Sequence, residues 1–177
     1  MTRLKQKYEE ALPSLMKELK LGNKMAVPRL EKVIISVGTG SLKDKKKFAT
    51  IIDRLTKITG QKPKQTAAKQ SIATFKLRQG DVSGAMVTLR GARMYDFLDK
   101  LIHVAIPRER DFRGLRATSV DEMGNLSIGF KEHTIFPETS DEDIKDVFPF
   151  GVTLVTTAHS KKAALALFNV LGIPFKK

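Results

Sequence analysis

Between Ala85 and Arg90 the side chains alternate without a break: Ala85, Val87 and Leu89 fall on one face of an extended strand, and Met86, Thr88 and Arg90 fall on the other. A strand of this kind buries one face and leaves the other open, so the chain has to build a sheet that is covered on one side. The preceding residues repeat the alternation. Ala73, Phe75 and Leu77 are set against Ile72, Thr74, Lys76 and Arg78, and the glycine-bearing stretch Gln79–Gly84 lies between the two runs. The pattern predicts a β-hairpin whose first arm buries Phe75, whose turn is Gln79–Gly84, and whose open face carries cations and hydroxyls. For a single hairpin, an ordinary solvated face is the commoner meaning of such a pattern.

The rest of the chain supplies more strands and the helices to cover them. Leu4, Tyr8, Leu12, Leu15, Met16 and Leu19 recur at helical spacing from Thr2 to Leu21, and Pro13 is expected to kink this segment or divide it into two short helices. In "VIISVGTG", Val33, Ile35 and Val37 alternate with Ile34 and Ser36 before Gly38 and Gly40 end the strand. Phe48, Ile51, Ile52, Leu55 and Ile58 mark a helix with Asp44 near its start and Gly60 as its stop. A polar, proline-bearing loop from Gly60 leads into the hairpin. Ala92 to about Ala105 reads as a helix burying Met94, Phe97, Leu98, Leu101 and Ile102, with Pro107 barring its continuation. "PRERDFRGLRATS" is a charged loop with few core anchors, either mobile or held by a partner. Strands follow at "NLSIGFKEH" and "GVTLVTTA", with a short helix in "PETSDEDIKDVF" between them. The last helix, "SKKAALALFNVLG", has Ser160 as N-cap and Gly172 as C-cap. Together these elements predict an α+β fold: a largely antiparallel sheet covered by helices on one side, with a projecting basic β-hairpin loop at about residues 61–91. One domain over residues 1–177 is expected.

Cysteine is absent, which excludes disulfides and thiolate metal sites. No apolar run approaches a membrane span, and the charged stretch "MTRLKQKYEEALPSL" lacks the apolar core of a signal peptide, so a cytoplasmic chain without a membrane partner is expected. The net charge of +13 points to a polyanionic partner. From Leu42 to Tyr95 there are thirteen Lys or Arg against three acids, and between Arg54 and Gly80 there is no carboxylate at all. The positive field therefore belongs to about one third of the chain, and sequence neighbours cannot neutralise it.

Catalytic chemistry is not expected. His103, His133 and His159 are scattered and read as packing or surface residues rather than as a metal site. "SVGTGSLKDKKK" has a Gly-x-Gly after a strand but lacks the Gly-Lys-Ser/Thr ending of a nucleotide loop, so no cofactor is expected there. The acids Glu138, Asp141, Glu142, Asp143 and Asp146 fit the capping of a helix, with Ser140 and Asp143 as a capping box, better than a divalent-metal site. A nucleic-acid-modifying enzyme would need carboxylates within the basic region, which offers only Asp44, Asp53 and Asp81. Binding remains. Lys62, Lys64, Lys69, Lys76, Arg78 and Arg90 are interleaved with Gln61, Gln65, Thr66, Ser71 and Thr88, the mixture that backbone contacts and shape readout of a structured RNA require. Without Trp and with few aromatics, base stacking of the RNA-recognition-motif kind is not expected. A free RNA chaperone or translation factor with the same basic hairpin is the alternative.

The segments "VPRLEKVIISVGTG", "GQKPKQTAAKQSIATFKLRQG", "VTLRG", "IPRERDFRGL", "GNLSIGFKEHTIFPE" and "VTTAHSKKAALALFNVLGIPFKK" resemble, in order, the bacterial large-subunit ribosomal proteins of the L-five family. The resemblance implies a structural ribosomal protein that binds 5S rRNA and attaches it to the central protuberance, among large-subunit rRNA and neighbouring central-protuberance proteins. It implies a 5S rRNA site at Ser36, Gln61 and Thr88, with Gly38, Lys62, Thr66, Lys69, Ser71 and Arg90 about them. A loop containing Phe75, Lys76, Arg78, Gly80 and Gly84 would approach the P-site tRNA. An intersubunit bridge to a small-subunit head protein would draw on Arg110, Asp111, Arg113, Glu138, Asp141 and Glu142. The chain departs from the family in having Ser36 where Asn is usual, and in "DVS" at Asp81–Ser83, where Asp81 is expected to turn away from RNA.

Overall fold

The computed structural model describes residues 3–40, 45–75, 77–110, 112–139 and 147–176. Asp44, Lys76, Asp111 and the run from Ser140 to Asp146 lie outside the described residues, and with them most of the short helix expected in "PETSDEDIKDVF". Strands β1 (Leu30–Gly38), β2 (Lys64–Ala67), β3 (Val82–Leu89), β4 (Leu126–Phe130) and β5 (Phe150–Thr156) form one antiparallel sheet in the order β2-β3-β1-β5-β4. The alternation read from the sequence sets its two faces. Val33, Ile35 and Val37 on β1, Ala85, Val87 and Leu89 on β3, and Leu126, Ile128 and Phe130 on β4 are all buried. The chain packs as two compact units, one of Met1–Val33, Leu89–Ile128 and Thr153–Lys177, the other of Ile34–Thr88 and Gly129–Val152.

In the first unit, α1 (Arg3–Glu18) packs on α5 (Lys161–Leu171) and on α3 (Gly91–Lys100). Helix α1 runs unbroken through Pro13, so of the two outcomes expected there the division into two short helices does not occur. Pro13 and Glu9, whose carbonyl the proline cannot bond, are both exposed, which leaves that carbonyl on the solvent side of the helix while Leu12 and Leu15 stay buried. Nor does Pro107 stop the next helix. After α3 the chain makes a π-helical turn at Leu101–Ala105, where the Ile106 N–H donates to the Leu101 carbonyl, and ends in a further turn, α4 (Ile106–Arg108). The wide turn shifts the hydrogen-bond register just ahead of the residue that has no N–H to give. Ser160 caps α5, its hydroxyl accepting from the Ala163 N–H at 3.4 Å, and Gly172 closes it at φ 87°. The charged loop after Arg108 has an anchor that the sequence did not suggest. The Leu115 N–H donates to the Pro174 carbonyl and the Lys176 N–H to the Leu115 carbonyl, both at 2.8 Å, so Leu115 pairs with Phe175 as a parallel bridge.

In the second unit, α2 (Lys45–Thr59) buries Ile51, Leu55 and Ile58, and Gly60 ends it at φ 67°. Phe130, Phe136 and Phe150 form an aromatic cluster, with ring centroids 5.0 Å apart for Phe130 and Phe150. His133 is buried and stacked on Phe148 at 4.1 Å, a packing histidine as expected.

The first arm of the hairpin lies elsewhere than predicted. The partner of β3 is β2, with Lys64 opposite Met86, Gln65 opposite Ala85 and Thr66 opposite Gly84. Residues Ala73–Phe75 form a 3-10 turn, and Phe75 is 67% exposed instead of buried. The period of two around Phe75 has no covering layer to meet, so it sets no strand. The connection therefore spans residues 68–81, and Val82–Gly84, read as turn, belong to β3.

Candidate nucleic-acid interface

On β3, Met86 and Thr88 alternate with the buried Ala85, Val87 and Leu89, and so stand on the open face. The β2 pairing places Lys64 and Thr66 on that same face, opposite Met86 and Gly84. On β1, Ser36 and Gly38 are exposed between buried neighbours. Ser36, Thr66 and Thr88 are thus brought to one side of adjacent strands. Among the described residues, none of their three hydroxyls has an intramolecular hydrogen bond.

Gly84 makes the close packing of these strands possible. A methyl group there would lie 2.5 Å from the Val37 carbonyl oxygen and 3.0 Å from Thr66 Oγ1. The Thr39 N–H donates to the Ser83 carbonyl at 2.9 Å, and Ser83 Oγ to the Thr66 carbonyl at 3.2 Å. Gly84 is therefore a sheet residue, not part of the loop to which the sequence assigned it.

Gln61, just past α2, reaches across to β3: its Nε2 donates to the Thr88 carbonyl at 3.3 Å. The Gln61 N–H in turn donates to Thr59 Oγ1 at 3.3 Å. Lys62, Lys64, Lys69 and Arg78 are exposed and form no ion pair with any described residue. By contrast, Arg54 and Lys57 both meet Asp53, at 3.6 and 3.2 Å. Arg90, in the first unit, meets Glu31 at 3.4 Å, an acid that no sequence spacing ties to it.

The connection at 68–81 is pinned by its own polar groups. The Ala68 N–H donates to the Asp81 carbonyl and the Gly80 N–H to the Ala68 carbonyl, while Ile72 and Leu77 exchange backbone bonds at 3.0 and 3.2 Å. Asp81 Oδ2 accepts from the Arg78 N–H at 2.8 Å, and Ser71 Oγ from the Gln79 N–H at 3.0 Å. Both acceptors are thereby spent on the loop itself. Phe75, Ile72 and Val82 remain exposed in or beside this loop, at 67%, 43% and 43%.

Of the bridge residues, Arg110 and Arg113 are exposed in the first unit and Glu138 in the second, whereas Asp111, Asp141 and Glu142 lie outside the described residues. Among the described residues no three His, Asp or Glu side chains are placed to hold a metal ion, and no helix is long and apolar enough to cross a membrane. Sequence patterns missed three parts of this surface: β2 as the pairing strand, Glu31 beside Arg90, and Thr59 behind Gln61. Only Thr59 left a trace, as a polar residue just before the glycine that ends a helix.

Comparison with known proteins covers nearly the whole chain. The sequence profile described as "Ribosomal protein L5" matches residues 23–78, and the profile for the C-terminus of the same ribosomal family matches residues 82–175. The "Large ribosomal subunit protein uL5" of Ruminiclostridium cellulolyticum is 49% identical over 179 residues, which is 100% of this chain and 99% of the relative. The proteins of the same name from Mycoplasma mycoides subsp. mycoides and Thermoanaerobacter sp. are 48% and 46% identical, covering 99% and 100% of this chain and the same shares of their own lengths.

Proposed function

The chain belongs to the ribosomal protein L5 family, and from that premise we propose that its open sheet face binds 5S rRNA and attaches it to the central protuberance of the large subunit. Membership makes it a structural component of the cytoplasmic ribosome's large subunit and not an enzyme. The observation that carries the proposal is the set of unpartnered polar groups on one face. Lys64 shares that face with the Ser36, Thr66 and Thr88 hydroxyls, and the exposed Lys62 and Lys69, which form no ion pair with any described residue, flank β2 in the sequence. Hydroxyls offer donors and acceptors to sugars and phosphates, and the lysines offer charge to the backbone, which together suit the shape readout of a folded RNA. Gly38 lets that backbone come near β1. Arg90 joins only by loosening its contact with Glu31. Ser71 contributes through the loop that its hydroxyl holds.

The connection at 68–81 is the second contact. Its exposed Phe75 with Arg78, Gly80 and Lys76 offers an apolar contact and charge to the P-site tRNA, while Gly84 supports it from within the sheet. Arg110, Asp111, Arg113, Glu138, Asp141 and Glu142 supply the bridge to a small-subunit head protein. Large-subunit rRNA and neighbouring central-protuberance proteins complete the partners.

The deciding experiment is a gel-shift titration against 5S rRNA and a transfer RNA at near-physiological salt. Strong preference for 5S rRNA is expected. Equal, salt-sensitive binding to both would leave a general RNA chaperone as the better description.

A further inference from the structure

Thr59 is 7% exposed, and its hydroxyl lies 2.6 Å from the Leu55 carbonyl, 3.0 Å from the Gln61 carbonyl and 3.3 Å from the Gln61 N–H. A hydroxyl has one hydrogen to give, and the shorter contact is to Leu55. Its oxygen is then free to accept from the Gln61 N–H. One buried group thus bonds back onto the Leu55 carbonyl of α2 and fixes the backbone beyond Gly60, whose φ of 67° makes the turn. From that fixed backbone the Gln61 side chain spans to the Thr88 carbonyl.

A carbonyl only accepts, so the amide must offer it nitrogen. Gln61 Oε1 is left without a partner among the described residues, beside the second N–H of the same amide. Phosphate oxygens carry no hydrogen at neutral pH and cannot satisfy Oε1. A ribose 2′-hydroxyl or an exocyclic base amine can.

We infer that Thr59 is a positioning residue of the RNA-binding face, holding the Gln61 amide as an uncharged donor–acceptor edge that recognises a ribose hydroxyl or a base edge rather than a phosphate. The inference rests on the 5S rRNA reading above and assigns selectivity to a buried residue outside the contact surface. Because no charge is involved, the Thr59–Gln61 pair contributes to preference between RNAs and not to the salt dependence of binding.

The test is a salt titration of binding to 5S rRNA and to a transfer RNA, using the full chain and its variants, with thermal melts alongside. Thr59→Val removes the hydroxyl at constant shape, Thr59→Ser keeps it, and Gln61→Met removes the amide at a half-buried site. Thr59→Val and Gln61→Met are each expected to weaken 5S rRNA binding about three- to tenfold, with an unchanged salt slope and little change toward transfer RNA. Thr59→Ser should retain affinity, and the Thr59→Val/Gln61→Met double variant should bind no worse than Gln61→Met. A folded Thr59→Val protein with full 5S rRNA affinity overturns the inference, as does additivity in the double variant. If Thr59→Val does not fold, Gln61→Met decides, since an undiminished preference for 5S rRNA there overturns it equally. Equal binding of the two RNAs by the unaltered chain removes the 5S rRNA reading itself, and the inference with it.

Discussion

Thr66 stands opposite Gly84 across the β2–β3 pair, and the space that a side chain at position 84 would occupy is already filled by the Val37 carbonyl and the Thr66 hydroxyl. Gly84→Ala therefore forces strands apart within the face proposed to bind RNA. A loss of about 1–3 kcal/mol in stability is expected, read as a lower denaturant midpoint. Unchanged stability would show that β1 yields without strain.

Neighbouring residues on β3 should separate fold from function. Leu89 is 0% exposed and Thr88 is half-exposed on the other face. Leu89→Ala is expected to cost about 2–5 kcal/mol of stability. Thr88→Ala should cost less than about 1 kcal/mol yet weaken 5S rRNA binding. Equal RNA affinity in a folded Thr88→Ala protein would remove that hydroxyl from the interface.

If about six phosphates are contacted, affinity should fall with salt at a log–log slope of about −4 to −5. Lys62→Gln and Lys69→Gln should each make that slope shallower by about 0.7–0.9. Arg90→Gln should change it less, because Arg90 already faces Glu31 at 3.4 Å. Titrations with each variant at four salt concentrations would rank the three.

Acid should loosen the turn that leads into β4. Asp121 accepts from the Asn125 N–H at 2.6 Å and from the Asn125 side-chain amide at 2.9 Å, and these bonds hold its carboxyl below the usual 3.8. The folded state favours the ionised form, so this contribution is fully present above pH 3.8 and fades as pH falls through the lower folded value. Asp121→Ala should flatten that part of the stability–pH curve. An identical acid limb in the variant would count against it.

Alkali acts on the two tyrosines. Burial raises both phenols, Tyr8 further through Tyr95 and Tyr95 further through Glu9, while Arg29 opposes the rise in each. The folded chain favours the neutral phenols, so their contribution is intact below pH 10.0 and is lost as pH rises through the folded values. With two Tyr and no Trp in the chain, absorbance at the phenolate band reads this directly. Ionisation of both at pH 10.0 in folded protein would contradict the burial.

The covered face of the sheet was legible because burial enforces alternation: Val33, Ile35 and Val37 on β1 and Ala85, Val87 and Leu89 on β3 are all inside. The caps of α5 were legible because Ser160 and Gly172 carry their geometry in their own chemistry. Strand β2 was not, since "KQTA" is a short, polar edge that takes its place from pairing with β3 and not from a pattern of its own. The false arm around Phe75 shows the converse, a period of two with nothing to cover it. Pro107 misled because rules for isolated helices omit what a π turn absorbs. In the proposed interface, Ser36, Gln61 and Thr88 came from family resemblance, while the part played by Thr59 is set by the turn after α2 and that of Glu31 by long-range packing that no sequence spacing reveals.

The bridge between Leu115 and Phe175 joins residues sixty positions apart in the chain. At a synthesis rate of roughly 5–20 residues per second, Leu115 waits several seconds for the segment that pairs with it. The pairing of Leu115 is therefore a late event in the life of each new chain, complete only after Pro174–Lys176 have been made.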